Sequence, residues 1–219
     1  MNALRVTLLL VAVSLSGDVA ANSTVRVIDG DTIELSGITY RLHGIDAPEA
    51  GQKCAMANGR TWQCGKSAIA ALEALAFSGS VECDTKGTDS YSRVIGVCKV
   101  DGKDMGAAMV SNGNAWAFRE YSNDYVAQED EARLAGRGIW QAQTQRAKDY
   151  RAAKWAVGIQ KAPDGCPIKG NISRNGRIYH APWSPWYSRT KVSVNKGERW
   201  FCSEAEALKA GWRAPYWGR

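Results

Sequence analysis

The sequence is poor in histidine, with two in 219 residues, and holds three phenylalanines and six prolines. It has neither a C-x2-C nor an H-x3-H spacing, so the usual signature of a structural zinc site is missing. Cys166, His180 and Cys202 are the ligands a zinc reading would have left, one short of tetrahedral coordination. The only long apolar run, Val6 to Leu15, is too short to span a bilayer as a mature helix. Glycine and proline together make 28 residues and charged residues 23%, an ordinary globular mix. No internal repeat or low-complexity tract is present. A multi-pass membrane protein, a coiled coil, a collagen-like rod and a disordered chain are thereby excluded.

What is present begins with an export signature. Met1 to Arg5 carries one positive charge, Val6 to Ser16 is apolar, and Val19-Ala20-Ala21 offers small residues for cleavage before Asn22. Residues 1–21 are therefore read as a signal peptide and the mature chain as periplasmic or secreted, monomeric and without a membrane anchor. No cysteine lies near the cleavage point, which argues against a lipoprotein. An oxidising compartment suits the six cysteines, which allow about 15 complete pairings that sequence alone does not decide. The neighbouring pairs Cys54–Cys64, Cys83–Cys98 and Cys166–Cys202 are the pairing adopted. The formal charge of +6 is uneven. Residues 22–159 net −1 and residues 160–219 net +7, so attraction to polyanions belongs to the C-terminal quarter.

Thr24 to Ile28, Thr32 to Leu35 and Ile38 to Ile45 read as strands separated by Asp29-Gly30 and Ser36-Gly37 turns. Ala50 to Gly65 reads as a loop. Lys66 to Phe77 reads as a helix with Ile69, Leu72 and Ala76 on one face. Val81 to Asp84 and Val94 to Val100 form a hairpin around Lys86 to Asp89, stapled by Cys83–Cys98. Asp104 to Ser111 and Asp124 to Ala135 are further helices. This order predicts a mainly β chain with helices (α+β), a small Greek-key barrel with helices packed on it. Lys148 to Trp155 reads as another helical turn or part of a linker over 146–164. The last piece, 165–219, is basic and holds five of the nine tryptophans between Trp183 and Trp217, with one short helix over Ser203 to Ala210.

Three clusters carry chemistry: Asp29-Gly30-Asp31-Thr32, Arg41 to Glu49, and Asp89-Ser90-Tyr91-Ser92-Arg93. Each alone reads as a turn. Together, Asp31, Asp46 and Glu49 offer hard oxygen ligands or a base, the preference of Ca²⁺ or Mg²⁺. Arg41 and Arg93 offer planar, permanently charged forks for a phosphate. Carboxylates for a metal beside arginines for an anion describe a phosphodiester hydrolysis site.

These clusters, with Gly136-Arg137-Gly138-Ile139-Trp140, resemble the staphylococcal nuclease (thermonuclease) family in order and spacing over about residues 23 to 145. The resemblance implies an OB-fold five-stranded barrel with three helices across 22–145. It implies Ca²⁺ held by Asp31, Asp46 and the Ala47 carbonyl. Glu49 would orient or deprotonate the attacking water, while Arg41 and Arg93 grip the phosphate. DNA and RNA would be cut to leave 3′-phosphates, with Tyr91 and Tyr121 contacting the nucleotide. The founding members carry Thr where Ala47 stands, Lys at Ser90 and Tyr at Arg119, which touches substrate preference rather than the catalytic set. His43 is expected to face away from the carboxylates in a structural or solvent role.

Cys166 to Ser173, Ile178-Tyr179-His180 and Trp200 to Arg213 resemble the small "sunset" module of exported bacterial proteins, including relatives labelled as succinoglycan biosynthesis proteins. Its cations and aromatics would suit single-stranded nucleic acid. Most of its tryptophans are expected to form its own core. Two other readings stand beside the nuclease: a non-catalytic nucleic-acid-binding OB protein, and an accessory protein of exopolysaccharide or cell-envelope biosynthesis.

Overall fold

The computed structural model describes residues 24–89 and 93–217. The expected signal peptide and Tyr91 lie outside the described residues. No helix among the described residues is long and apolar enough to cross a membrane.

β1 (Val25–Asp29), β2 (Thr32–Leu35) and β3 (Ile38–Leu42) form an antiparallel meander. Alternation drives it: Val27 and Ile33 pair and are fully buried, while the paired Arg26 and Glu34 point outward. Ser36 and Gly37 both take positive φ, 51° and 83°, as a tight two-residue hairpin turn requires. The strand expected to run on to Ile45 instead breaks. Gly44 takes φ 68°, and the chain re-enters as the short strand β4 (Ile45–Asp46). The expected loop 50–65 contains a small hairpin, β5 (Cys54–Ala55) with β6 (Thr61–Trp62), tied to the next helix by Cys54–Cys64. That helix, α1 (Cys64–Ala76), buries Ala68, Ile69, Leu72 and Ala76 on one face. Its start lies hard against the chain at Glu49: a Cβ on Gly65 would sit 1.8 Å from the Glu49 carbonyl oxygen.

β7 (Val81–Thr88) and β8 (Val94–Val100) make a longer hairpin than expected. Lys86 to Thr88, expected in the turn, belong to β7, and a bulge between Thr85 and Gly87 leaves Lys86 as the extra residue while Gly87 pairs with Ile95. The loop begins at Asp89, whose amide donates to the Arg93 carbonyl at 3.0 Å. β8 runs parallel to β3, giving the order β1-β2-β3-β8-β7. β9 (Lys103–Asp104) adds to β8 and leads into α2 (Met105–Ser111), whose first turn is capped by Asp104 accepting from the Ala107 amide at 3.0 Å. β10 (Trp116–Ala117) pairs with β4, and α3 (Val126–Leu134) follows. The core between sheet and helices is aliphatic, built on Val27, Ile33, Leu42, Leu72, Met105 and Met109.

The stretch expected to hold a helical turn or linker carries the 15-residue helix α4 (Ala147–Lys161). Beyond it, β11 (Ile168–Ser173), β12 (Gly176–His180) and β13 (Trp200–Phe201) form a second sheet in the order β12-β11-β13. α5 (Glu204–Lys209) is capped by Ser203, whose Oγ accepts from the Glu206 amide at 3.1 Å. A separate core forms from Ile168, Tyr179, Phe201, Ala207 and Trp212. The three disulfides are Cys54–Cys64, Cys83–Cys98 and Cys166–Cys202, and no cysteine is free.

The two sheets are joined by close packing. The Trp217 amide donates to the Ile28 carbonyl at 2.9 Å, and the Tyr216 hydroxyl donates to Glu34 at 3.2 Å. On α4, a Cβ at Gly158 would come within 2.8 Å of Pro182, so glycine is what lets the helix approach the C-terminal part.

Candidate active site

Asp31 ends the β1–β2 turn and Asp46 lies on β4; their residues are 4% and 3% exposed. Arg41, opposite Thr32 in the β2–β3 register, reaches back over both. Its Nη2 lies 3.0 Å from Asp31 Oδ2 and 3.2 Å from Asp46 Oδ1, and its Nη1 donates to Asp31 Oδ1 at 3.0 Å. The Ala47 amide and the Thr32 hydroxyl also donate to Asp31, at 3.3 and 2.9 Å. Burial works to raise the Asp31 pKa, but Arg41, the hydrogen bond with Asp29 and Arg151 outweigh it and hold the carboxyl below its ordinary value.

Glu49 follows Pro48 at the head of the loop beneath α1. Its amide donates to Gln52 Oε1 at 3.2 Å, and the Gln52 Nε2 donates to the Gln145 carbonyl at 2.7 Å, which anchors the loop. The Glu49 carboxylate accepts from Arg151 Nη1 at 2.6 Å, and the same guanidinium gives both Nη1 and Nη2 to Asp46 Oδ1 at 3.0 Å. Burial pushes the Glu49 pKa up to about 7 against the pull of Arg151, with Asp31 and Asp46 adding to the rise. Such a carboxyl exchanges a proton near neutrality, the property a general base needs.

Arg93 begins the second arm of the β7–β8 hairpin. Its Nε donates to Asp89 Oδ2 at 2.7 Å, and its amide donates to Asp89 Oδ1 at 3.0 Å. Burial opposes its charge, yet Asp89, Glu204 and Asp31 hold the guanidinium firmly protonated. Glu204 belongs to the C-terminal part, where it accepts from the Tyr179 hydroxyl at 2.8 Å. A narrow cavity of about 50 Å³ lies between the two parts, with Asp29 and Glu49 on one side and Tyr179, Trp183, Glu204 and Trp217 on the other. Burial, then the charges of Asp31 and Glu49, raises Asp29 well above the usual carboxylate range.

The sequence clusters thus place Asp31, Arg41, Asp46 and Glu49 in one constellation, with Arg93 in electrostatic reach of Asp31. Tyr121 stands apart, 76% exposed with its ring edge-on to Phe118 at 4.7 Å. His43 points elsewhere, its Nε2 3.0 Å from Asp124 Oδ2. Arg119 turns inward to the buried Glu129, donating to Oε2 at 2.7 Å. Three site features escape the sequence reading: Arg151, Gln52 and the wall supplied by the C-terminal part. The expectation that most C-terminal tryptophans are core needs refinement, since Trp212 is buried but Trp186 is 41% exposed.

Among the described residues, no group of three or more His, Cys, Asp or Glu converges as a ready-made metal cage. The donor chemistry still fits a hard divalent cation. Two buried carboxylates meet on one positive nitrogen, Arg41 Nη2, and carboxylate oxygen is the ligand that Ca²⁺ and Mg²⁺ prefer. The set does not fit zinc, because the thiols are all in disulfides.

A family model described as "Staphylococcal nuclease homologue" matches residues 39–142. A second, described as ArfC, matches residues 150–214, where the sequence alone led to a sunset-like module. The chain is 39% identical over 132 residues to "Succinoglycan biosynthesis protein ExoI" of Rhizobium meliloti, covering 58% of this chain and 69% of that protein. It is 35% identical over 133 residues to "Micrococcal nuclease" of Shigella flexneri, covering 53% and 71%. It is 31% identical over 147 residues to "Uncharacterized endonuclease" of Haemophilus influenzae, covering 63% and 77%. Arg41, Asp46, Glu49, Gln52 and Arg93 fall within the stretch matched by the first model, Asp29 and Asp31 precede it, Arg151 and the C-terminal wall follow it, and the chain belongs to the staphylococcal nuclease family.

Proposed function

We propose that the chain is an exported, Ca²⁺-dependent nuclease that hydrolyses phosphodiester bonds of DNA or RNA and leaves 3′-phosphates. The observation that carries this reading is the buried Asp31–Asp46 pair beside Glu49, interlaced with the guanidinium groups of Arg41 and Arg151. The endonuclease and micrococcal nuclease names of the relatives support nuclease chemistry and, through the family, dependence on a metal. The curled sheet is taken as the family's five-stranded barrel.

In this reading Asp31 and Asp46 hold the cation, joined by the Ala47 carbonyl. When bound, Ca²⁺ would supply Lewis-acid charge to the phosphate undergoing attack. Arg41 and Arg93 bind the phosphate and stabilise the charge that builds on its oxygens. Glu49 accepts the proton of the attacking water, and Gln52 and Arg151 fix where its carboxylate stands. Tyr121 and Tyr91 meet the nucleotide.

The test is hydrolysis of single-stranded DNA by the mature chain (residues 22–219), with Ca²⁺ or with chelator, beside Glu49→Ala. Calcium-dependent cleavage that falls by about a hundredfold to ten-thousandfold in the variant is expected. A folded chain that binds DNA without cleaving it returns the protein to the non-catalytic OB reading. The name of the Rhizobium relative favours a second reading, an accessory role in exopolysaccharide biosynthesis, which predicts binding of an acidic polysaccharide instead.

A further inference from the structure

The C-terminal part carries a groove of about 610 Å³ flanked by Asn171, His180, Trp186, Arg189, Lys191 and Lys196. Arg189, Lys191 and Lys196 are exposed and, among the described residues, enter no ion pair. The one carboxylate lining the groove is buried and held by hydrogen bonds. Glu198, 4% exposed, accepts from Asn171 Nδ2 at 2.9 Å and from the amides of Ile172 and Ser193 at 3.0 and 2.7 Å. The segment that carries Arg189 is tied down: Lys169 Nζ donates to the carbonyls of Tyr187 and Thr190, at 2.9 and 2.8 Å, bracketing Arg189. The groove therefore presents positive charge on a fixed frame.

An aromatic pair links it to the catalytic cavity. The exposed ring of Trp186, in the groove, lies 4.4 Å from that of Trp217, and Trp217 lines the cavity that holds Asp29 and Glu49. Cations along a channel beside an exposed aromatic ring are the means by which proteins hold single strands, since every unstacked base has a face to offer.

We propose that this groove is a docking subsite for single-stranded nucleic acid. The phosphates run along Arg189, Lys191 and Lys196, a base stacks on Trp186, and the strand passes over the Trp186–Trp217 pair to the cavity at Glu49. The nuclease reading sets only the destination of the strand; docking does not depend on it. A duplex is disfavoured because its bases are already stacked and offer no free face to Trp186.

The experiment measures binding of a fluorescent oligothymidylate of about twelve nucleotides to the full mature chain in chelator, where cleavage plays no part. Trp186→Ala is expected to weaken binding about tenfold, with Trp186→Tyr recovering most of it. The triple variant Arg189→Gln, Lys191→Gln, Lys196→Gln is expected to flatten the dependence of log K on log salt by about 2, at about 0.7 per phosphate contact on a single strand. These three side chains are exposed, so the triple variant remains a valid test even if Trp186→Ala unfolds the module. Unchanged affinity and salt slope in the triple variant overturn the proposal. So does binding of polygalacturonate with none of the oligonucleotide. Normal docking by a chain that never cleaves would leave this subsite standing and sink the nuclease reading alone.

Discussion

The two parts of the chain treat charge in opposite ways. In the site, Asp31, Asp46 and Glu49 each have a guanidinium within hydrogen-bond distance, and residues 22–159 come out near neutral at −1. Along the C-terminal groove, Arg189, Lys191 and Lys196 enter no ion pair among the described residues, and residues 160–219 carry +7. Their cores differ as well. The first is a broad aliphatic layer under a sheet; the second is five buried residues, three of them aromatic. A small core buries too little surface to hold a long, irregular stretch by itself. The C-terminal part answers with a disulfide and with docking through Trp217 and α4. Dense pairing suits chemistry on one phosphate, where each charge must stay fixed, and sparse pairing suits a surface that exchanges counterions for a polyanion.

The largest test of that division is kinetic. Glu49→Gln should lower kcat by at least about a hundredfold, while the triple glutamine variant of the groove should act through KM on long strands. A groove variant that lowers kcat as much as Glu49→Gln would erase the distinction between the parts.

The disulfides sharpen the structural half of the comparison. In the chain-entropy account, Cys166–Cys202, with a separation of 36, contributes about 4 kcal/mol, and Cys54–Cys64, with a separation of 10, about 3 kcal/mol. Replacing the first pair by serine should lower the denaturant midpoint further, and the loss should fall on the C-terminal part. Tryptophan fluorescence during urea unfolding reads it. An equal loss from both pairs would mean that the small core needs its staple no more than the large one does.

Arg151 is the link between the parts, being carried on α4 and committed to Asp46 and Glu49. Arg151→Ala leaves both carboxylates short of a donor and should cost about 1–3 kcal/mol of stability. It should also lower activity, because Glu49 loses the contact that sets its position. Arg151→Lys should restore charge but not the two-nitrogen grip, recovering stability more than rate. Thermal melts beside kcat for both variants separate these effects.

How much of this was legible in the sequence depended on the range of the interaction. β1 to β3 could be read because alternation and Asp-Gly and Ser-Gly turns are local signals, and the Arg41 to Glu49 cluster because its members sit within nine residues. The break at Gly44 is not evident beforehand, since Ile38, Tyr40 and Leu42 alternate up to it and only the phase of Ile45 marks that β4 leaves to pair with β10. The hairpin turn was placed too early because Lys86-Gly87 looks like a turn when it is a bulge. Arg151 meets Asp46 across 105 positions, and nothing in the run from Ala147 to Trp155 distinguishes it from Arg146 or Lys154. The second sheet escapes for a different reason: its strands mix Lys, Asn, Ser and Arg with apolar residues, and the alternating burial of β11 falls on a glycine at Gly170, which hides the pattern.

A further expected effect is a pH dependence confined to the C-terminal part. His180, at the end of β12, is 5% exposed, and its Nδ1 lies 3.2 Å from Ser184 Oγ. Burial, with Lys169 adding to it, pushes the imidazole pKa down to about 4. In the unfolded chain the same group titrates near 6.5. Between those values the unfolded chain binds more protons than the folded one, so stability rises with pH. The contribution is fully present above about 6.5 and is lost as the pH falls through about 4. The His180 ring lies 6.1 Å from that of Trp186, so near-ultraviolet circular dichroism of the tryptophans follows this region. Melting at pH 7, 5 and 4 should show the C-terminal signal failing earlier as the pH drops, and His180→Gln should flatten that trend. If the variant keeps the full slope, acid acts through the carboxylates around Arg41 and Arg151, and the active-site half is the more pH-sensitive of the two.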